Sequence, residues 1–568
     1  DLENTRYLLS FGVNLLEGWG TPTAVMRAFG HWRDSAAGSR AKFVQLEARF
    51  SPTAARADEW VALRPGTEAA LALGIAYVLI TEGLYDADFV RERAFGFEDW
   101  RDAAGRTHLG FRSLVVNEYR LNDVAALTGA PAETILRLAR EFGGHRPALA
   151  LGDLQTSTLP GDPYAAMAVH SLNALVGSLD APGGVLIQGE LPRAEEEALA
   201  AERIPWPRLD QTPEHPFPKR HLARLPQAIL SRQPYPLQVL LLHEVNPVFA
   251  LPNGEAFRRS LQEVPFIASF TSFLDETSVL ADLVLPAPTG LETWQEAASP
   301  PTFPYALQSI SPPVVAPCHN TRHPADIILE LARGLGGAVA AALPFANFEA
   351  YLRQQTGQLF ASQAGSVFGT RLEETWNRLL ERSGWRAPTY ANEEELWEQI
   401  KQRGGWWESS YYHGEWDRVF QTPSHRFEFY SQTLAQWAGQ HPELVRAVGL
   451  EPGDDHLALP HQPPLAKPPA DFPLLLLPVE VLPLAGGEGA HLPYLQQIAG
   501  PHLFAQWESW LEIHPETAAR RGIADGDLVW VESRRGRAQV RARLYEGARP
   551  EVVHLPLVCH HARAAVSR

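Results

Sequence analysis

Two short segments of this chain can be laid over each other, and that match constrains the fold more than any other feature. "LLSFGVN" (8–14) aligns with "LLLHEVN" (240–246): an apolar run, two residues, then Val-Asn. Downstream, "TAARAD" (53–58) aligns with "TSVLAD" (277–282): Thr, three residues, Ala-Asp. Each second element follows a strand-like run, "FVQLEARF" or "FIASFTSF". The Asn-to-Thr separations are 39 and 31 residues, so the copies differ in loop length. Two copies, in order and in the same context, imply two related lobes that each open with a strand, a turn and a helix.

The rest of the chain supports an α/β class. "PGTEAALALGIAYVLI" (65–80) reads as a helix with Thr67 as N-cap, and 123–143 as helical either side of a Gly-Ala-Pro break. "PALALGD" (147–153) reads as a buried strand and 162–179 as another helix. Strands alternating with helices predict a parallel, doubly wound sheet. The expected organisation is a first α/β dinucleotide-binding lobe at 1–190 and a second at 191–340. A helical and irregular segment at 341–458 and a Pro-rich linker at 459–473 follow. A β-rich C-terminal domain occupies 474–568, with a hairpin at 522–544 turning at Arg-Arg-Gly.

At 568 residues the chain is long enough for several cores. A net charge of −17 argues against nucleic acid as a partner. Two cysteines exclude a disulfide framework and any four-cysteine iron–sulfur cluster ligated by this chain alone. Cys559-His560-His561 and Cys318-His319 lack the spacing of a zinc site and are read as structural. No apolar run reaches the ~18–20 residues of a membrane span. Trp406, Trp407, Trp507 and Trp510 are assigned to core or interface.

Ligands of parallel sheets lie at the carboxyl ends of the strands. Gly12, after the first strand, lets the backbone approach a phosphate, and Asn14 and Asn246 each stand where an amide can hold phosphate or ribose. Glu47, ending the second strand, is placed for ribose hydroxyls, and Arg49 for bidentate phosphate contact. Gly66, Thr67 and Glu68 start a helix where a carboxylate suits a guanine edge. Plain structural roles compete: a turn cap for Asn14, dipole complement for Glu68, cap and loop residues for Thr277 and Asp282. The G-x-G-x-x-G fingerprint is absent, which disfavours a nicotinamide dehydrogenase.

These stretches, with "ARFSPTAARADEWVALRPGTEAALAL", "HSLNALVGSLDAPGGV", "DETSVLADLVLPAPTGLE" and "EIHPETAARRGIADGDLVWVESRRG", resemble the molybdopterin oxidoreductase superfamily. The run "SFTSFLDETSVLADLVLPAPTGLETW" is most similar to large subunits of quinone-linked membrane complexes, such as alternative complex III, menaquinone reductase and polysulfide reductase. The resemblance implies two Rossmann-like lobes and a C-terminal β-barrel of double-psi type. It implies a bis(molybdopterin guanine dinucleotide) carrying Mo or W. One dinucleotide would be held by Gly12, Asn14, Glu47, Arg49, Gly66, Thr67 and Glu68, the other by Asn246, Pro247, Thr277 and Asp282. His514, Asp527 and "GGEGAHLP" (486–493) would close over the pterins.

The family's 4Fe-4S cysteines and metal-ligand residue precede its equivalent of "RYLLSFG", so both are expected upstream of Asp1 and the chain reads as N-terminally truncated. "ETWQEAASP" (292–300), "TSTLPGD" (156–162) and the final "LPLVCHHARAAVSR" depart from catalytic members. Two functions are expected. The first is a molybdopterin-type oxidoreductase large subunit, binding the bis-dinucleotide and passing electrons between a small substrate and an iron–sulfur partner. The alternative is a cofactor-less scaffold of the same fold in a quinone-linked membrane complex. Partners implied are a ferredoxin-like iron–sulfur subunit and a quinone-binding membrane subunit, at the periplasmic face of a bacterial inner membrane.

Overall fold

Tyr7–Phe11 (β1) is buried along its whole length, as a central strand covered on both faces must be. It pairs in parallel with Lys42–Glu47 (β2) on one side. On the other it pairs with Ala148–Gly152. Glu59–Ala62 (β3) adds to β2. With Ala148–Gly152 named β4, the order is β3-β2-β1-β4, all parallel. The computed structural model describes all residues except 35–39, 153–161, 194–207, 211–221, 252, 301, 384–389, 448–450, 466–467, 483, 485–489, 499, 501–502, 535 and 557–568.

The helix Glu68–Thr81 is apolar on every face, and eleven of its fourteen residues are buried. A helix without a polar face belongs inside a domain. It shares one core with Val124, Leu138, Phe142, Leu172 and Leu175 from the helices Leu121–Thr128, Ala132–Gly144 and Asp162–Leu175. The Gly-Ala-Pro break is real: Gly129 closes one helix in the left-handed conformation at φ 79°. Thr67 stands at the N-cap of Glu68–Thr81, but its hydroxyl donates to the Arg64 carbonyl (2.6 Å) rather than capping. The helix start is tied by Gln462, whose Oε1 accepts from Ala70 N–H (3.1 Å) and whose Nε2 donates to Gly66 O (2.8 Å).

The chain divides into two compact units, Asp1–Ile187 with Tyr412–His560, and Gln188–Tyr411 with His561–Arg568. In the second unit, Val239–His243 (β5), Phe266–Thr271 (β6) and Leu283–Pro286 (β7) form a parallel sheet of order β7-β6-β5. Gln295–Ala298 (β8), Leu307–Ser311 (β9), Ser366–Val367 (β10) and Gly405–Trp407 (β11) form an antiparallel sheet of order β8-β9-β11-β10. The helices Phe348–Ser362 and Glu393–Arg403 share a core with this sheet through Leu352, Leu359, Trp397 and Trp406. The sequence offers no clear strand period there, because two- and three-residue strands are too short to show one.

The first unit also holds Leu475–Val479 (β12), Trp510–Ile513 (β13), Leu528–Ser533 (β14), Gly536–Leu544 (β15) and Val552–Pro556 (β16), in the order β12-β16-β13-β15-β14. Pairings are mixed, two parallel and two antiparallel. The hairpin at Arg-Arg-Gly is the β14–β15 pair. Where a C-terminal β-barrel is expected, the sheet is partially curled, a half-barrel: among the described residues β12 and β14 are its edges. Among the described residues no helix is long and apolar enough to cross a membrane.

Gly74 tests the packing of the central helix. A Cβ there would lie 2.8 Å from Val124 Cγ1. Gly74→Ala gains helix propensity of up to ~1 kcal/mol but overpacks a filled core, which costs about 1–3 kcal/mol. The variant is expected to unfold at lower urea concentration than the wild type, and Val124→Ala in the same chain to restore part of the loss.

Candidate functional site

The repeat residues do the same work in both copies. Asp58 accepts the Phe43 N–H at the head of β2 (2.8 Å), and Asp282 accepts the Ile267 N–H at the head of β6 (2.8 Å). Thr53 Oγ1 accepts from Leu16 N–H (3.2 Å), and Thr277 Oγ1 accepts from Val248 N–H (3.1 Å). Each acceptor thus meets the backbone two residues beyond the matching Asn of its copy, Asn14 or Asn246. A buried N–H without a partner is costly, so the repeated Thr and Asp fix the strand–turn geometry. The Thr hydroxyls then diverge. Thr53 donates to Glu17 Oε2 (2.8 Å), whereas Thr277 donates to Asn246 Oδ1 (2.7 Å). Asn246 Nδ2 in turn donates to Glu276 Oε2 (2.7 Å). Pro247 is buried at the first position of the short helix Pro247–Ala250.

In the first unit, Gly12 takes φ +70° with open space where a Cβ would stand, so the turn needs glycine for its backbone and not for clearance. The Asn14 carbonyl accepts from Glu17 N–H (2.9 Å) in the same turn. Glu47 is 9% exposed and accepts from Ser51 Oγ at 2.5 Å. Burial pushes its carboxyl up to about 7, against the hydrogen bond from Ser51. Gly66, at φ +78°, turns the chain into the helix that begins at Glu68. His514 caps Pro515–Arg521, its Nδ1 accepting from Glu516 N–H (3.2 Å). Asp527 is exposed and accepts from Ala524 N–H (2.7 Å). Residues 156–161 of "TSTLPGD", Cys559-His560-His561 and the first half of "GGEGAHLP" (486–489) lie outside the described residues.

Arg49 is the best-held of the candidates. Its Nε and Nη2 donate to the two oxygens of Glu512 at 2.6 and 3.0 Å, a bidentate pair joining the loop after β2 to β13. Arg543 Nη1 adds a third donor to Glu512 Oε1 at 3.2 Å. The Glu512 side chain is 1% exposed. Burial opposes its ionisation, yet the bonds and charge of Arg49, with Arg543, hold its carboxyl below the ordinary range. Tyr545 lies under both guanidiniums, 5.6 Å from Arg49 and 5.2 Å from Arg543, and its hydroxyl donates to the Phe50 carbonyl. On β16, His554 pairs opposite Glu512, and neither ring nitrogen has a hydrogen-bond partner. Burial, then the Arg49 charge, pushes His554 down to about 4, so it is neutral.

A cavity of about 580 Å³ adjoins this network. Leu16, Met26, Val481 and Trp510 give it apolar walls, and Arg49, Glu512, Arg543 and Tyr545 a polar floor. The decisive partners Glu512, Arg543 and Tyr545 were not among the sequence candidates. Glu512 alternates with apolar residues in "WLEI", and its only sequence signal was an acidic residue in a strand otherwise built for burial.

Residues 1–333 match the molybdopterin oxidoreductase family, and residues 502–566 match the "Molydopterin dinucleotide binding domain". The chain belongs to the molybdopterin oxidoreductase family. It is 33% identical over 355 residues to the menaquinone reductase molybdopterin-binding-like subunit of Nitratidesulfovibrio vulgaris, covering 62% of this chain and 46% of that protein. It is 26% identical to the molybdopterin-containing subunit of the arsenate respiratory reductase of Chrysiogenes arsenatis, over 97% of this chain and 69% of that one. The fold is similar to acetylene hydratase from Pelobacter acetylenicus, with a TM-score of 0.66 and 21% identity, over 98% of this chain and 71% of that chain.

Within this family the expected catalytic reading needs correction. Among the described residues no group of three or more His, Cys, Asp or Glu side chains converges to hold a metal ion. With two cysteines, the chain cannot ligate a four-cysteine cluster. Two of the side chains expected to hold a dinucleotide are engaged within the protein: the Arg49 fork is closed on Glu512, and the Asn246 amide donates to Glu276 and accepts from Thr277. The reading of this chain as a cofactor-loaded electron-transfer subunit is therefore set aside.

The Glu47 carboxyl carries a pH signature. The native state keeps its proton up to about 7, whereas the ordinary value is 4.5. The stability it contributes is complete below 4.5 and is lost as pH rises to 7, a swing of about 3 kcal/mol. His554 acts in the opposite sense, losing stability as pH falls from 6.5 to 4. Glu47→Gln removes only the first effect. Its unfolding free energy, measured in urea against the wild type, is expected to gain about 3 kcal/mol on the wild type between pH 4.5 and 7.

Proposed function

We propose that this chain is a cofactor-free scaffold subunit of the molybdopterin oxidoreductase fold, working in a quinone-linked membrane electron-transfer complex. The observation that carries the reading is that the polar groups best placed to hold a dinucleotide are answered within the protein, above all Arg49 by Glu512. A relative bearing the words "molybdopterin-binding-like subunit" supports it. In this reading the two parallel sheets are Rossmann-like lobes and the curled C-terminal sheet derives from a double-psi barrel. In this reading Gly12, Asn14, Glu47, Gly66, Thr67, Glu68, His514 and Asp527 belong to a former nucleotide seat of the first unit, and Asn246, Pro247, Thr277 and Asp282 to one of the second.

The proposed partners are a ferredoxin-like iron–sulfur subunit and a quinone-binding integral membrane subunit, at the periplasmic face of a bacterial inner membrane. In this reading the scaffold's task is to hold the electron-carrying subunits at fixed separation.

The test is purification of the intact complex from native membranes, with metal analysis and pterin fluorescence. Both partner classes are expected to copurify, with molybdenum, tungsten and pterin well below one per chain. Stoichiometric metal with guanine dinucleotide would sink the scaffold reading.

A further inference from the structure

We propose that β14 is an interaction edge for a second copy of this chain: two Leu528–Ser533 strands pair antiparallel about a two-fold axis at Trp530.

The C-terminal sheet treats its two edges differently. An edge strand turns every second N–H and C=O away from its single neighbour, so it is a template for another strand. Folded chains blunt such edges with proline, lysine or inward-pointing charge. β12 follows that rule, with Pro478 inside Leu475–Val479. β14 does not. It reads Leu-Val-Trp-Val-Glu-Ser, without proline or lysine, and among the described residues β15 is its only strand partner.

The side chains add to the demand of the backbone. Val529 and Val531 pack against the apolar cluster of Ile513 and Val540, whereas Leu528 and Trp530, on the opposite face, are each 57% exposed. Strand addition at the edge covers both. The Trp530 ring is already held, with the Arg537 guanidinium 4.7 Å from its centre. Glu532, opposite Arg537 on β15, is the one charge on the strand.

Charge selects a second copy as the occupant. Asp525 and Asp527 precede the strand, both exposed. Backbone donors hold them there: Asp525 accepts from Leu544 N–H (2.8 Å) and Asp527 from Ala524 N–H (2.7 Å). Arg534 follows the strand at the hairpin turn, with Arg537 just beyond, and both are exposed. One end of the edge is acidic and the other basic. Antiparallel pairing turns one copy end for end, so the acidic turn of each meets the basic turn of the other, whereas parallel pairing sets like charges together. The register that brings position 526 against 534 also brings Trp530 against Trp530, and residues opposite each other in such a pair share a face. An isologous contact of this kind closes at two copies and does not propagate. One strand per copy is a small interface, so the dimer is weak and reversible.

The test is sedimentation of the purified full chain over a range of concentrations, with urea unfolding to check the fold of each variant. A reversible monomer–dimer equilibrium is expected, weakening as salt is raised because the turn-to-turn charges are screened. Trp530→Lys places two like charges at the axis, and Arg534→Glu sets acid against acid at both turns. Each is expected to raise the dissociation constant at least about tenfold, with a urea midpoint close to that of the wild type. Should the lysine variant not fold, Arg534→Glu decides alone. A chain that stays monomeric up to its solubility limit would overturn the proposal. So would a dimer that a folded variant leaves unchanged, since that dimer uses another surface.

Discussion

A carboxylate that is 1% exposed has to be answered by charge from the protein itself, and in this chain Glu512 is answered from two directions. Arg543 comes from the neighbouring strand, where the register of β13 and β15 delivers it directly. Arg49 comes from the loop after β2, more than four hundred and sixty residues away in sequence. That second arm ties the first parallel sheet to the C-terminal half-barrel within one unit. Tyr545 to the Phe50 carbonyl, Phe50 N–H to Gly547 O (2.8 Å) and Arg549 to the Ala62 carbonyl (3.4 Å) run along the same junction. The joint is thus largely polar. A polar joint defines one geometry because each donor has a single acceptor in reach, whereas an apolar joint can slide.

The same environment explains the two neighbouring groups with displaced protonation. Glu47 and His554 are both buried, and burial is the largest cause that shifts each toward its neutral form. Ionisation near this junction is kept where it is paired and suppressed where it is not. A site prepared for a polyanionic cofactor would leave oriented donors open to receive it. Here the strongest donor fork is closed.

The internal repeat was legible because its residues serve the backbone. Thr53 and Thr277, Asp58 and Asp282 recur at fixed offsets since each must reach one particular N–H at a strand head or turn. The buried helix at Glu68–Thr81 and the break at Gly129 were legible for similar local reasons, an all-apolar run and a residue that tolerates positive φ. The antiparallel sheet of the second unit was not, because β10 and β11 are shorter than any period they could display. Gln462 was missed as the residue that ties the start of Glu68–Thr81, since nothing local marks a glutamine nearly four hundred residues away as its partner.

Sequence alone determined the α/β class, the internal repeat and membership of the molybdopterin oxidoreductase family, because these rest on short-range patterns and on backbone-serving residues at fixed spacing. It also named Arg49 among the candidates for phosphate, and Asn14 and Asn246 among those for phosphate or ribose. What those side chains hold was decided by tertiary structure. Hydrogen-bond donors are satisfied by whatever acceptor the fold brings within about 3 Å, and that acceptor is Glu512 for Arg49, and Glu276 for Asn246. Spacing along the chain carries no information about such a partner when hundreds of residues intervene.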